Sequence, residues 1–377
     1  MAVRKIDRND TVSGCPVAHD GDGVWRLRGY SAGRALLRST ETVQAGMNVE
    51  GIEKMPKRIR RPVLYRDGEE HREHRRQTAR YFTPRRVDAA YRALMERIAD
   101  EQLDRLRRER RADLSQLSFR LAVAVAAAVM GLTGGRPGMP YRLEKFFPEQ
   151  YGQPGFTSPS GVYWFARQNF WTLAFYMCDV RPAIRARRRE RADDVISHLI
   201  DEGCSDGDIL GECLTFAPAG MITTREFINV VAWHLFTDAD LRARYMAADP
   251  AGRLAVLEEL LRLEPVVSTL KRRTTAEVEV PGPSGPIAIP AGSRVDVSIT
   301  NANLDPDALA AGGPGLSFGD GPHRCPGAHV ALQETDIFVH RLFALDGLRM
   351  ATPPRVSFKE DIAAYELRGL TVELAPQ

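Results

Sequence analysis

"FGDGPHRCPG", residues 318 to 327, holds three glycines, two prolines and one cysteine in ten positions, with a basic pair directly ahead of the thiol. The usual fate of a free cysteine is burial as a small hydrophobe, but these neighbours argue for chemistry. Pro326 suits the first position of a helix running from Gly327, which places Cys325 at its N-cap. There, unpaired N–H groups and the helix dipole favour a thiolate. His323 and Arg324 add positive charge. A nucleophile would need a base and an oxyanion hole, and no Cys/His/Asn arrangement of a recognised kind accompanies this cysteine. A zinc site would need further Cys or His at short spacing, and none is present. One thiolate backed by glycines, which let a large flat group approach the backbone, suits the axial ligand of a haem iron.

The rest of the chain bounds that reading. Its 377 residues are 44% apolar and 27% charged, the balance of a globular protein with a large core. A net charge of +3 gives no field for nucleic acid, and the runs "RLRRERR" (105–111) and "RARRRER" (185–191) read as solvated helix faces. Five scattered cysteines do not form a disulfide framework and fit a reducing cytoplasm. The first thirty residues lack an apolar run long enough for a signal peptide or a membrane span.

Apolar spacing predicts helices over 31–40, 71–82, 87–108, 113–130, 162–178, 182–202, 207–236 and 327–345. Strand character is confined to "AEVEV", "RVDVSIT" and a C-terminal "RGLTVELAP", and the N-terminus reads as loose and polar. Twelve of the 29 aromatic residues fall between Tyr141 and Tyr176. That concentration fits a helix-packing core, or else a mobile roof over an apolar ligand.

"FGDGPHRCPG" resembles the signature of the cytochrome P450 superfamily at Phe318, Gly321, Cys325 and Gly327. Other segments follow in the family's order. "EELLR" supplies its Glu-x-x-Arg pair as Glu259 and Arg262. "HREHRRQTARYFTP" (71–84) is similar to the haem-edge helix of bacterial members, and "AGMITT" (219–224) to the stretch of the long helix that crosses the distal haem face. The resemblance, from "GCPVAHDG" to the C-terminal strands, implies a mainly α fold with a small β region. It further implies a single domain over 1–377, with heme b (iron protoporphyrin IX) between the long central helix and the cysteine loop. Cys325 would be the axial ligand and the metal-binding residue. His71, Arg75, Arg272 and His323 would hold the propionates, with Arg273 as rival to Arg272. Ala219 and Gly220 would keep the helix close to the haem, and Thr223 would manage bound oxygen.

The implied activity is that of a monooxygenase acting on a small-molecule substrate, with a separate ferredoxin and ferredoxin reductase as electron donors, since no flavin or iron–sulfur unit is evident. Arg72, Arg76 and Arg80 would attract the acidic donor. Substrate contacts would come from 43–55, the aromatic stretch and Val266 to Thr269. Two departures stand out. Only eleven residues, Asp307 to Ser317, precede the signature, without the arginine that braces the Glu-x-x-Arg pair, so Glu259 and Arg262 should stay paired and recruit a donor from elsewhere. Ile222 stands where an acid usually precedes the threonine, leaving the proton relay to the substrate or, through water, to Glu226. The same isoleucine leaves room for a peroxygenase, dehydratase or oxidative coupling enzyme, and a non-catalytic haem-binding or recruitment protein is a further alternative.

Overall fold

The computed structural model describes residues 3–7, 14–46, 49, 60–148, 152, 154–359 and 363–375. Helices build one large apolar core, to which Leu103, Leu121, Phe175, Ile228, Val231 and Phe338 contribute fully buried side chains. A second, smaller core lies under a five-stranded sheet and includes Leu27, Leu36, Val295 and Val297.

Each predicted helical stretch contains helix, with three adjustments. Residues 182–202 divide into Arg181–Arg189 and Val195–Asp201, because Asp194 caps the second helix through the Ser197 N–H at 2.9 Å. Helices Met139–Phe146 and Pro159–Phe175 bracket the aromatic region. The long helix runs Asp206–Phe216, widens into a π turn over Ala217–Ile222 and resumes at Thr223–Thr237. Pro218 lies inside that turn and has no N–H to give to the helical ladder, which accounts for the break.

The sheets extend further than the sequence indicated. In the five-stranded sheet the order is Val17–His19, Val24–Leu27, Arg294–Ser298, Thr269–Thr274 and Thr42–Gln44. Val24–Leu27 runs parallel to Arg294–Ser298, so the N-terminal segment expected to be loose is a sheet component. Thr371–Leu374 lies between Arg111–Asp113 and Leu348–Thr352, and Arg355–Lys359 pairs with Ala364–Arg368. Three-residue strands such as Val17–His19 and Thr42–Gln44 are too short to show a period of two; remote partners determine them.

The cysteine loop seats on helix Tyr30–Arg38. Gly321 has φ +67°, and a Cβ there would run into the Leu37 carbonyl oxygen. The loop is closed by Cys325 N–H donating to the Phe318 carbonyl at 2.8 Å and Arg324 N–H to the Gly321 carbonyl at 3.1 Å.

The short link before the loop is fastened by an amide. Fully buried Asn303 donates to the Arg262 carbonyl (3.1 Å) and the Ser317 hydroxyl (2.8 Å), and accepts from Leu316 N–H (2.7 Å). The expectation that Glu259 and Arg262 stay paired fails, for they share no hydrogen bond or ion pair among the described residues. Glu259 is taken by Arg244 from the neighbouring helix at 2.7 Å, which is the recruited arginine, while Arg262 turns inward and donates to the Asn303 carbonyl at 3.2 Å.

Gly321→Ala should destabilise the fold by well over the ~1–2 kcal/mol cost of a left-handed L-residue, because the clash with Leu37 adds to it. Urea midpoints of the two proteins measure the loss, and a midpoint unchanged by the alanine would contradict the seating described.

Candidate functional site

The cysteine loop and two helices converge on one recess. Helix Gly68–Thr78 brings His71 and Arg75 to the same face, one turn apart. His71 is buried and its ring stacks on that of His323 with centroids 4.0 Å apart. Strand Thr269–Thr274 alternates, and this decides between its arginines: Arg272 is buried and lines the recess with His71 and His323, while Arg273 faces out. Arg75 donates to the Arg324 carbonyl, tying the helix to the cysteine loop.

Two residues here escaped the sequence reading. Asp67 accepts from His323 Nε2 at 2.9 Å, and Gln44 Nε2 lies 3.3 Å from His323 Nδ1. Asp67 occupies the N-cap position of its helix but makes no side-chain capping bond, having turned toward the histidine instead. Only the fold brings it there, across more than 250 residues of sequence.

Four basic side chains thus crowd around one carboxylate. Burial, with His323 and Arg75 nearby, pushes the His71 imidazole down to about 3, and burial pushes Arg272 down to about 10. His323 is also lowered by burial, against the pull of Asp67. Groups held in this way lack negative charge around them, and a ligand carrying two carboxylates would supply it.

Cys325 is half-buried, two residues ahead of Gly327, which is the true N-cap of helix Ala328–Phe343. The helix starts later than Pro326 implied, so the thiol lies in the turn and not at the cap itself. Burial pushes the thiol up, opposed by the Gly327 N–H, Arg75 and Arg324. The polypeptide alone therefore does not make a thiolate; coordination to a metal would deprotonate it.

On the π turn, Ala219 is exposed and Gly220 and Thr223 are half-exposed, although buried residues surround them along the same helix. A Cβ at Gly220 would meet only Ala126, at an ordinary 3.7 Å, so protein packing does not demand a glycine. Thr223 donates its hydroxyl to the Ala219 carbonyl at 2.6 Å, leaving its oxygen as an acceptor. Ile222 is buried. Glu226 is also fully buried and both its oxygens are engaged, by Leu367 N–H, Arg368 and Arg225, each at 2.8 Å. It belongs to a charge cluster that continues through Glu366 to Lys359, an arrangement that holds the helix to strand Ala364–Arg368. A second carboxyl, Glu334, lies buried against Thr224, with one oxygen unpartnered and burial holding it well above the usual carboxylate range.

The other expected contacts divide. Residues 47, 48 and 50–55 of the 43–55 segment lie outside the described residues. Val266 and Ser268 are buried, with Ser268 bonded to the Ala363 carbonyl. Most of the aromatic region is not core, as Tyr141, Phe156, Tyr163, Phe165 and Phe170 are exposed while Phe146 and Phe175 are buried. On the basic helix Arg72 is exposed, but Arg76 pairs with Glu73 at 2.7 Å and Arg80 with the Tyr81 hydroxyl at 2.6 Å.

A helical fold with a cysteine loop, a basic recess and a bulged helix is the architecture of a haem-thiolate protein. The family model for cytochrome P450 matches residues 254–308. Pentalenic acid synthase of Streptomyces avermitilis is 28% identical over 358 residues, covering 89% of this chain and 84% of the relative. Erythromycin C-12 hydroxylase of Saccharopolyspora erythraea is 28% identical over 368 residues, covering 88% and 84%. Among solved structures, ligand-free CYP105P1 shares the fold with a TM-score of 0.76 at 24% identity, over 96% of this chain and 94% of that one. CalO2 does so at 0.76 and 21% identity, over 96% and 93%. In the matched segment, in sequence over most of its length and in fold, the chain is similar to the cytochromes P450, a family of haem-thiolate oxidoreductases. Heme b is the family's cofactor, and the residues here fit it: one sulfur donor from Cys325, and a basic recess short of negative charge for the propionates. No helix among the described residues is long and apolar enough to cross a membrane.

Cys325→Ala should abolish the red-shifted Soret band of the reduced, carbon-monoxide-bound protein. Cys204→Ala and Cys213→Ala, at buried cysteines away from the recess, should preserve it. Glu226→Gln should cost about 3 kcal/mol of stability in thermal or urea unfolding, since it leaves Arg225 and Arg368 short of charge in the interior.

Proposed function

We propose that the protein is a haem-thiolate monooxygenase of secondary metabolism. In this reading residues 1–377 form a single haem-thiolate domain. It oxidises a small organic intermediate in the cytoplasm, with electrons from a separate ferredoxin and ferredoxin reductase. The observation that carries the reading is the convergence of Cys325 with four basic side chains that have one carboxylate, Asp67, among them. Relatives named for hydroxylating erythromycin and for making pentalenic acid favour a natural-product substrate. Arg72 and Arg324 are exposed beside the cysteine loop and favour an acidic electron donor.

Heme b, when bound, supplies reductive activation of dioxygen: two electrons and two protons leave one oxygen atom in the product and one in water. Cys325 would hold the iron, and His71, Arg75, Arg272 and His323 would hold the propionates. Thr223 presents an acceptor oxygen on the open side of the π turn, its own proton committed to Ala219. Ile222 can neither give nor take a proton. Glu226, with both oxygens engaged, is a positioning residue rather than a relay. A polar group of the substrate therefore completes proton delivery. The same lack of an acid favours a second reading, a peroxygenase, in which peroxide brings both oxygen and protons.

Product formed per electron pair, measured with one fixed ferredoxin, tests the assignment. Thr223→Ala should lower it on the order of tenfold or more, Glu226→Gln should leave it unchanged per folded enzyme, and Ile222→Asp should raise it chiefly for substrates without a polar group. Turnover with peroxide but none with ferredoxin would replace the first reading by the second.

A further inference from the structure

Asp67 holds the position from which an acid ordinarily caps its own helix, yet its side chain makes no such bond. The residue after it, Gly68, has φ +68°, the left-handed region that favours glycine, although a Cβ there would meet nothing within 4 Å. The glycine therefore answers to backbone direction and not to crowding. A first residue off the helical path turns the N–H groups of the first turn away from the carboxylate. Asp67 serves other elements instead.

It does so through a closed ring of three contacts. Oδ1 accepts from His323 Nε2 at 2.9 Å, Oδ2 accepts from the Gln44 main-chain N–H at 3.4 Å, and the Gln44 side-chain nitrogen lies 3.3 Å from His323 Nδ1. A carboxylate only accepts, so the proton of the first contact is carried by Nε2. Gln44 is the cross-strand partner of Arg272, and His323 stacks on His71. The ring of contacts thus joins the strand Thr42–Gln44, the helix carrying His71 and Arg75, and the cysteine loop. The charge reaches the same groups, for Asp67 opposes the burial that lowers His71, Arg272 and His323 alike.

We propose that Asp67 is the positioning residue of this recess: it fixes the His323 ring, and through the stack the His71 ring, while its negative charge holds down the reduction potential of a haem bound there. This rests on the haem reading above. A carboxylate behind a histidine that binds a cofactor governs how firmly the cofactor is kept, as partners behind metal-ligating histidines do. The same carboxylate is a like charge to the electron that reduction adds at the iron, so removing it favours the reduced state. The two effects separate chemically. Retention needs an oxygen that accepts from His323, whereas the potential needs the charge.

Two variants of the haem-loaded full chain test this. Asp67→Ala removes both acceptor and charge, and Asp67→Asn keeps an acceptor for His323 while removing the charge. Transfer of haem to excess apomyoglobin should be faster by about tenfold or more in Asp67→Ala and within about twofold of wild type in Asp67→Asn. In a potentiometric titration the reduction equilibrium of Asp67→Asn should gain roughly threefold to tenfold, a rise of about 30 to 59 mV for one electron. A residue that merely supported the fold would move neither reading in Asp67→Asn. A wild-type transfer rate in Asp67→Ala, haem lost from Asp67→Asn as fast as from Asp67→Ala, or an Asp67→Asn potential at or below the wild-type value overturns the proposal alone, provided the wild type shows the thiolate Soret band. A wild type without that band overturns the haem reading and this inference with it.

Discussion

Every part of the site refers back to the contact between the cysteine loop and the helix beneath it. Gly321 lies so close to the Leu37 carbonyl that the loop can seat only without a side chain there. Once seated, the Phe318 carbonyl receives the Cys325 N–H, and the backbone that carries the thiol is fixed. His323, four residues from Gly319, is then delivered against His71 and within reach of Asp67. A loop that must carry a metal bond gains from this arrangement, because positions held by main-chain hydrogen bonds do not depend on rotamer choice.

On the other side, the long helix is shaped by a missing donor. Pro218 has no N–H, so the ladder widens into a π turn over Ala217–Ile222 before recovering at Thr223. The turn leaves Ala219, Gly220 and Thr223 accessible in a helix that is otherwise interior. The charge cluster of Glu226, Arg225, Arg368 and Glu366 begins one turn later, and it ties the recovered helix to the C-terminal strands. The break and the tie are adjacent, so the widened turn has a fixed boundary.

The parts legible in the sequence were those with local chemistry. The cysteine loop, the one-turn spacing of His71 and Arg75, and the helical runs all follow from residues near one another. What was not legible depended on distant chain. Strands Val17–His19 and Val24–Leu27 acquire their register from the strand at Arg294–Ser298, and Asp67 from a histidine far along the sequence. Glu259 and Arg262 show the same limit from the opposite side. Their spacing allows a pair, but Arg244 and Asn303 compete for them and win. Pro218 was a readable signal that passed unread, since a proline inside a long helix foretells an interruption. The aromatic stretch was recognisable as unusual, but composition cannot say whether rings face inward or outward.

The fastening of the link at Asn303 has a consequence for how the protein meets its surroundings. An ion pair weakens as dissolved salt screens it, and it changes when its acid is protonated. The Asn303 amide carries no charge, and its bonds to Arg262, Leu316 and Ser317 lie in the interior. The junction that holds the cysteine loop to the helical body is thereby indifferent to ionic strength and to mild acid, a tolerance built from a neutral group where a charged one would ordinarily be used.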